Sequence, residues 1–211
     1  MGAAGPVLVV LTGPSGAGKD SILEQLKTLL PGAHFVITAT DRDPRPEESD
    51  GVDYYFVSTD RFEEMIEDGE LLEHARVYDQ WKGVPRAPIL NALAEGRDVI
   101  LRTDVQGARY IAEAIPGTVT IFVSTPSDEE LERRLRTRGG DSEEQIALRL
   151  DIARSEIDGA GEFDWTVVND DLDRAAKLVA SIIEQRPRSF EKATTRSSST
   201  TRSKGLVIAS T

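Results

Sequence analysis

Seven residues near the amino end carry the most chemistry. Gly13-Pro-Ser-Gly-Ala-Gly18-Lys19 has the G-x-x-x-x-G-K spacing of a phosphate-binding loop, and an apolar run over 7–11 precedes it. Glycines there let backbone N–H groups turn inward around phosphate oxygens, the helix that follows adds positive potential at its first turn, and Lys19 supplies a mobile charge. Asp20 stands where Ser or Thr commonly gives a hydroxyl to Mg²⁺, so Asp20 and Ser21 are both candidate metal-side ligands and neither is assigned.

Two groups of arginines suit the same chemistry. Arg134 and Arg138 lie four apart and share one helix face, Gly139-Gly140 follows, and Arg149 falls on the next helical stretch. Guanidiniums that arrive as a segment closes can stabilise a transferring phosphoryl group and exclude water, so this stretch reads as a lid. Taken alone, the same spacing fits a solvated helix with pairs such as Glu130/Arg134. Arg42 and Arg45 sit in a Pro-rich loop near Thr38, Thr40 and Tyr54, which suits a bidentate clamp for an acceptor phosphate. Exposed charges paired with Asp41 or Asp43 would account for these two equally well.

These side chains need a scaffold. Residues 7–11 are apolar on both faces, as in a strand covered by two helical layers, and similar runs recur at 35–38, 99–101, 119–123 and 166–168. Helical patterns at 22–30 and 146–157 lie between strands. Such alternation predicts an α/β fold with a parallel sheet flanked by helices. Ser127 with Glu130 and Ser142 with Gln145 fit the capping box, which places helices at 128–137 and 143–157, joined by a glycine-bearing connector able to hinge. The Pro- and acid-rich stretch 41–53 reads as a loop. Beyond it come a strand at 54–57, a short helix at 60–68 and an extended piece at 71–78, together a small inserted lobe. After Arg186 the chain is dominated by Ser, Thr and basic residues, and 187–211 is expected to be disordered.

The 211 residues carry 25 Lys+Arg against 37 Asp+Glu, a net charge of −12, which disfavours nonspecific nucleic-acid binding. With no Cys and only two His, disulfides, thiolate metal sites and cysteine nucleophiles are excluded, and a reducing cytoplasm is expected. No export or membrane segment is expected, because the first apolar run is short and lacks a basic flank.

Over about 7–183 the chain resembles the guanylate kinases, P-loop nucleoside monophosphate kinases. The resemblance rests on Gly-Pro-Ser-Gly-Ala-Gly-Lys (13–19), Arg-Asp-Pro-Arg-Pro (42–46), Gly-Val-Asp-Tyr-Tyr-Phe-Val-Ser (51–58) and Leu-Leu-Glu-His-Ala (71–75). Asp-Val-Gln-Gly-Ala (104–108), Arg-Arg-Leu-Arg-Thr-Arg-Gly (133–139) and Val-Asn-Asp-Asp-Leu (168–172) complete it. It implies a P-loop NTPase fold over 5–186, with a core (5–36, 96–126, 157–186), a GMP-binding lobe (37–95) and a lid (about 127–156). It also implies transfer of the γ-phosphoryl group of ATP to GMP with Mg²⁺, a step of purine nucleotide metabolism. Gly13, Pro14, Ser15, Gly16, Ala17, Gly18, Lys19, Asp20, Ser21 and Asn169 would then face ATP. Thr38, Arg42, Arg45, Tyr54 and Lys82 would hold the GMP phosphate, and Glu73 and Asp104 would accept from the guanine. Lys19, Arg134, Arg138 and Arg149 would be catalytic. For Asp104 a plain N-cap role at a helix beginning near Val105 is compatible with this.

The chain departs from the family pattern in places. Trp81-Lys82-Gly83-Val84 replaces Tyr-Tyr-Gly-Ser/Thr, so Lys82 stands for a phosphate-binding phenol and Val84 offers guanine no hydroxyl. Arg102 occupies an often acidic place and Asp41 a place usually Thr. Two other readings follow from the same residues. One is a kinase of another phosphorylated acceptor, such as ribose 1,5-bisphosphate, whose kinases share Gly-Lys-Asp-Ser. The other is a non-catalytic binding module of the same fold, disfavoured by the intact Gly18, Lys19 and lid arginines.

Overall fold

The computed structural model describes residues 5–77, 80–138, 142–185 and 205–207. The larger of two sheets is wholly parallel and built around β1 (Leu8–Thr12). β1 is followed by α1 (Lys19–Leu29) and β2 (His34–Phe35). After the inserted lobe the chain returns through β7 (Val99–Arg102), α4 (Val105–Ala114), β8 (Val119–Ser124), α5 (Asp128–Arg138), α6 (Glu143–Asp158), β9 (Trp165–Val168) and α7 (Leu172–Gln185). Strand order is β10-β9-β8-β1-β7-β2, with β10 (Gly205–Val207) at one edge. Side chains of β1 alternate between two cores: Val9 and Leu11 meet Ile22 and Leu26 of α1 and Val179 and Ile183 of α7, whereas Leu8 and Val10 meet Ala108 and Ile111 of α4. Both faces are therefore dry, and each such side chain contributes roughly 1.5–3 kcal/mol by burial.

The lobe is a second, four-stranded sheet ordered β4-β3-β6-β5: β3 (Thr38–Thr40), β4 (Tyr54–Phe56), β5 (Leu71–Val77) and β6 (Gln80–Pro85). α2 (Thr59–Glu67) covers its inner face, where Phe62 and Met65 pack with Ala39 and Leu71, and α3 (Arg86–Ala94) leads back to β7. Gly83 has no room for a side chain: a Cβ there would lie 2.8 Å from Phe62 and from Leu71.

Several expectations need correcting. The single strand expected at 35–38 is two: β2 pairs with β7 in the large sheet, and β3 pairs with β4 and β6 in the small one. The backbone changes partners at Val36-Ile37, which strand propensity cannot reveal. Ser142 and Gln145 form the full capping box. Ser127 accepts from the Glu130 amide at 3.3 Å, but the Glu130 carboxylate is bonded to Arg133 and Arg134 instead. The tail is not uniformly without structure, since β10 adds in parallel to β9, pairing Leu206 with Thr166 and Val207 with Val167. Those residues form an apolar pair beyond the Ser/Thr run, and β9 offers an open edge. The rest of 187–211 and the glycines of the 139–141 connector lie outside the described residues, as does the side chain of Arg138. Among the described residues no helix is long and apolar enough to cross a membrane.

Candidate active site

The loop between β1 and α1 turns on three glycines at positive φ, Gly13 (133°), Gly16 (89°) and Gly18 (88°), the last being the N-cap of α1. A Cβ on Gly13 would lie 2.1 Å from the Val123 carbonyl oxygen, so the loop's approach to β8 requires glycine. Asn169, just after β9 and almost fully buried, donates from its amide to the Ala17 carbonyl at 2.8 Å and braces the loop from behind. The Lys19 ammonium donates to the carbonyls of Gly13 (2.5 Å) and Pro14 (2.8 Å). Burial, followed by the repulsion of Arg102, brings its pKa down to about 8 against the attraction of Asp20. An ammonium so poorly solvated gains most when an anion replaces its solvent.

Across the cleft, strand alternation decides which lobe residues face the loop. Thr38 pairs with Tyr54, and Thr40 pairs with both Phe56 and Lys82. Paired residues share a face, so Thr38, Tyr54 and Lys82 line the cleft while Ala39 enters the lobe core. Arg42 lies over the Tyr54 ring at 5.0 Å and donates to both carboxylate oxygens of Glu48 at 2.6 Å. Its partner is thus Glu48, not Asp41 or Asp43, although it also donates to the Asp43 carbonyl. Asp41 instead accepts from the Trp81 amide (2.6 Å) and the Thr59 hydroxyl (3.0 Å), which ties β6 to the start of α2 and accounts for a carboxylate there. Arg45 is exposed at the cleft rim. The Val84 side chain is buried in the core under α3 and α4, which explains an apolar residue at that position.

Glu73 of β5 comes against the first turn of α4. Asp104 caps that helix, accepting from the Gly107 amide at 2.8 Å. A Cβ on Gly107 would lie 3.2 Å from the Glu73 carboxylate. Burial, helped by the neighbouring Asp104 charge, raises Glu73 to about 7. Two acceptors at one end of the cleft, one of them poorly solvated, are suited to a ligand that presents paired N–H donors.

On the third side, α5 and α6 pack through Leu131, Leu135, Ile146 and Leu150, and the Leu131 and Leu135 side chains reach Gly16 of the loop. Arg134 donates to Glu130 (2.6 Å) and to the Asn169 carbonyl (2.9 Å), so the Glu130/Arg134 pair exists and the arginine also reaches the loop's brace. Arg149 donates to the Ser15 hydroxyl at 3.1 Å. The structure therefore brings Lys19, Arg134 and Arg149 to the loop.

Arg102 belongs to the site although the sequence shows it only as a departure. It reaches Asp20 at 2.5 Å and the Tyr54 hydroxyl at 3.0 Å. Leu148, Ile152 and Glu156 also line the cleft. Their four-residue spacing, outside the buried Ile146/Leu150/Ala153 stripe, is the signal that could have found them. The whole forms one cleft of about 1200 Å³ between loop, lobe and α6.

A parallel sheet with a glycine loop after its central strand, facing an acidic and cationic lobe across a cleft, defines a P-loop kinase of phosphorylated small molecules. A family model described as guanylate kinase matches residues 6–186. A guanylate kinase of Thermosynechococcus vestitus is 49% identical over 168 residues, covering 80% of this chain and 88% of the relative. One of Rhodococcus jostii is 42% identical over 186 residues, covering 87% and 90%. The crystal structure of guanylate kinase from Anaplasma phagocytophilum superposes with a TM-score of 0.71 at 29% identity over 89% of each chain. The chain belongs to the guanylate kinase family.

Proposed function

We propose that this protein transfers the γ-phosphoryl group of ATP to the 5′-phosphate of GMP, giving ADP and GDP. The observation that carries this reading is that one cleft holds the Lys19 loop on one wall, the Thr38/Tyr54/Lys82 face on another, and the Glu73/Asp104 acceptors at its end. In this reading 37–95 is the acceptor lobe, about 127–156 the lid, and the rest of 5–186 the core.

The loop amides and Lys19 hold the donor phosphates, and Arg134 and Arg149 approach the transferring group from the lid, with Arg138 as a third guanidinium. Thr38, Arg42, Arg45, Tyr54 and Lys82 hold the acceptor phosphate in line. The acceptor oxygen attacks γ-phosphorus as the bond to the leaving ADP oxygen breaks, with no covalent enzyme intermediate. Glu73 and Asp104 select guanine by accepting from its N1–H and exocyclic amine, where adenine presents a lone pair at N1.

The donor set fits a nucleotide-borne Mg²⁺, which takes most of its ligands from phosphates and water. Asp20 carries an exposed carboxylate one residue beyond Lys19, Ser21 is also exposed, and no denser cluster of ligating side chains occurs among the described residues. When bound, the ion neutralises phosphate charge.

The test is ADP release from ATP with GMP, AMP, UMP and ribose 1,5-bisphosphate as parallel acceptors. GMP alone should support turnover. Preference for ribose 1,5-bisphosphate would replace this reading with a sugar-phosphate kinase, and no turnover with any acceptor would favour a binding module.

A further inference from the structure

Two departures from the family pattern, Asp20 and Arg102, meet in space. Asp20 is in the first turn of α1, directly after Lys19, and Arg102 ends β7, two residues before Asp104. They are 82 positions apart in sequence, yet Arg102 Nη1 lies 2.5 Å from Asp20 Oδ1. Arg102 Nη2 donates to the Tyr54 hydroxyl at 3.0 Å, and its guanidinium lies 5.9 Å from that ring. One side chain thereby spans from the loop's helix to the lobe across the cleft floor.

The pair is unequal. The Arg102 side chain is 25% exposed, whereas that of Asp20 is 69% exposed. A mostly buried guanidinium is thus balanced by a carboxylate that water reaches freely. An exposed partner contributes little to stability, so a purely structural tie explains the arrangement poorly. Arg102 has five donors, and its contacts with Asp20 and Tyr54 leave others to meet an anion arriving beside Tyr54. The neighbours agree. Burial alone would raise the Tyr54 phenol, but Arg102 and Lys82 more than offset it and hold it below its ordinary value. Lys82 also lies on the lobe face that carries Thr38 and Tyr54.

We infer that Arg102 is an acceptor-phosphate ligand, binding the 5′-phosphomonoester of the acceptor together with Tyr54 and Lys82, and that Asp20 is the positioning residue that aims it. This rests on the reading of the lobe as an acceptor site. Loss of the usual phenol is made good by two cations, Lys82 from the lobe and Arg102 from the core. The arginine requires a counter-charge, which Asp20 supplies.

The test is a double-mutant cycle of Arg102→Gln and Asp20→Asn, with Arg102→Lys as the conservative variant. KM for GMP and for ATP would be measured separately, with calorimetric titration of GMP in the absence of ATP and metal and melting of every variant. Arg102→Gln should raise KM and Kd for GMP tenfold or more while KM for ATP changes less than twofold. Arg102→Lys should recover part of that loss. Asp20→Asn should raise KM for GMP less, and the double variant should resemble Arg102→Gln rather than sum the two. An unchanged KM for GMP in Arg102→Gln would overturn the inference, as would equal rises for both nucleotides with a lowered Tm, or additive effects in the cycle. In all these cases the wild type still phosphorylates GMP and the proposed activity stands. A wild type that neither binds nor phosphorylates GMP removes both.

Discussion

The Arg42 guanidinium and the Glu48 carboxylate form a two-pronged pair, with both contacts at 2.6 Å and both side chains largely shielded from water. The hydrogen bonds from Arg42, aided by the Arg45 amide, bring Glu48 from 4.5 down to about 2. A depressed carboxylate stabilises the fold above its unfolded pKa and loses that contribution as pH falls through the folded value. Glu48→Gln should therefore cost on the order of 1 kcal/mol at pH 7, and the difference from wild type should vanish between about pH 5 and pH 2. Urea midpoints of both proteins across that range check it. Released from Glu48, Arg42 should also hold the acceptor less well, seen as a rise in KM for GMP.

Glu73 has the opposite sign. Its pKa of about 7 is raised chiefly by burial and then by Asp104, so the charged form, which in the proposed reading accepts from guanine, prevails only above neutrality. The expected kcat/KM for GMP is about tenfold lower at pH 6 than on its plateau above pH 8. Glu73→Gln should abolish that slope together with most activity on GMP. A raised carboxylate destabilises as pH climbs from its unfolded value through 7, so this variant should melt no lower than wild type at pH 8. Loss of function without loss of stability would mark Glu73 as a recognition residue.

Gly13 and Gly96 both have positive φ, 133° and 78°, but only Gly13 is crowded: a Cβ there would meet the Val123 backbone, and none lies near Gly96. Gly13→Ala should cost more than about 3 kcal/mol, since backbone strain and collision add, and Gly96→Ala about 1 kcal/mol from strain alone. Denaturant midpoints of the pair separate the two contributions.

Arg149 touches the loop through Ser15 and faces the cleft, whereas Arg134 is also tied to Glu130 and to the Asn169 backbone. Arg149→Ala is expected to lower kcat by about 10²–10³ with Tm nearly unchanged. Arg134→Ala should add a higher KM for ATP and a small loss of Tm, because the brace behind the loop loosens. Steady-state kinetics and melting on the same preparations check both. Unchanged kcat in Arg149→Ala would remove the lid assignment.

Much of this was legible in the sequence because it is local. The glycine spacing after a β-branched run, the i, i+4 apolar steps of α1 and the Ser142 capping box depend on residues within one turn of each other, and most of the expected strands and helices lie within about three residues of their places. α3, α7 and β6 were not foreseen. α3 starts after Pro85 without a side-chain cap and carries Pro88 in its first turn, and β6 holds Trp81-Lys82-Gly83 without simple alternation. Both are held by tertiary partners, the β7 core and the flanking β3 and β5.

The amino-acid order by itself determined the phosphate loop, the family motifs and an α/β scaffold, since each is written in short-range patterns of side-chain type. Only the folded chain decided that the run after Ala33 splits between two sheets, that Arg42 chooses Glu48, that Asp41 anchors Trp81, and that Asp20 meets Arg102. Those are choices among many compatible charges and strands. Sheet register and burial settle them, because they fix which oppositely charged groups come within about 3 Å and which strand edges still need partners.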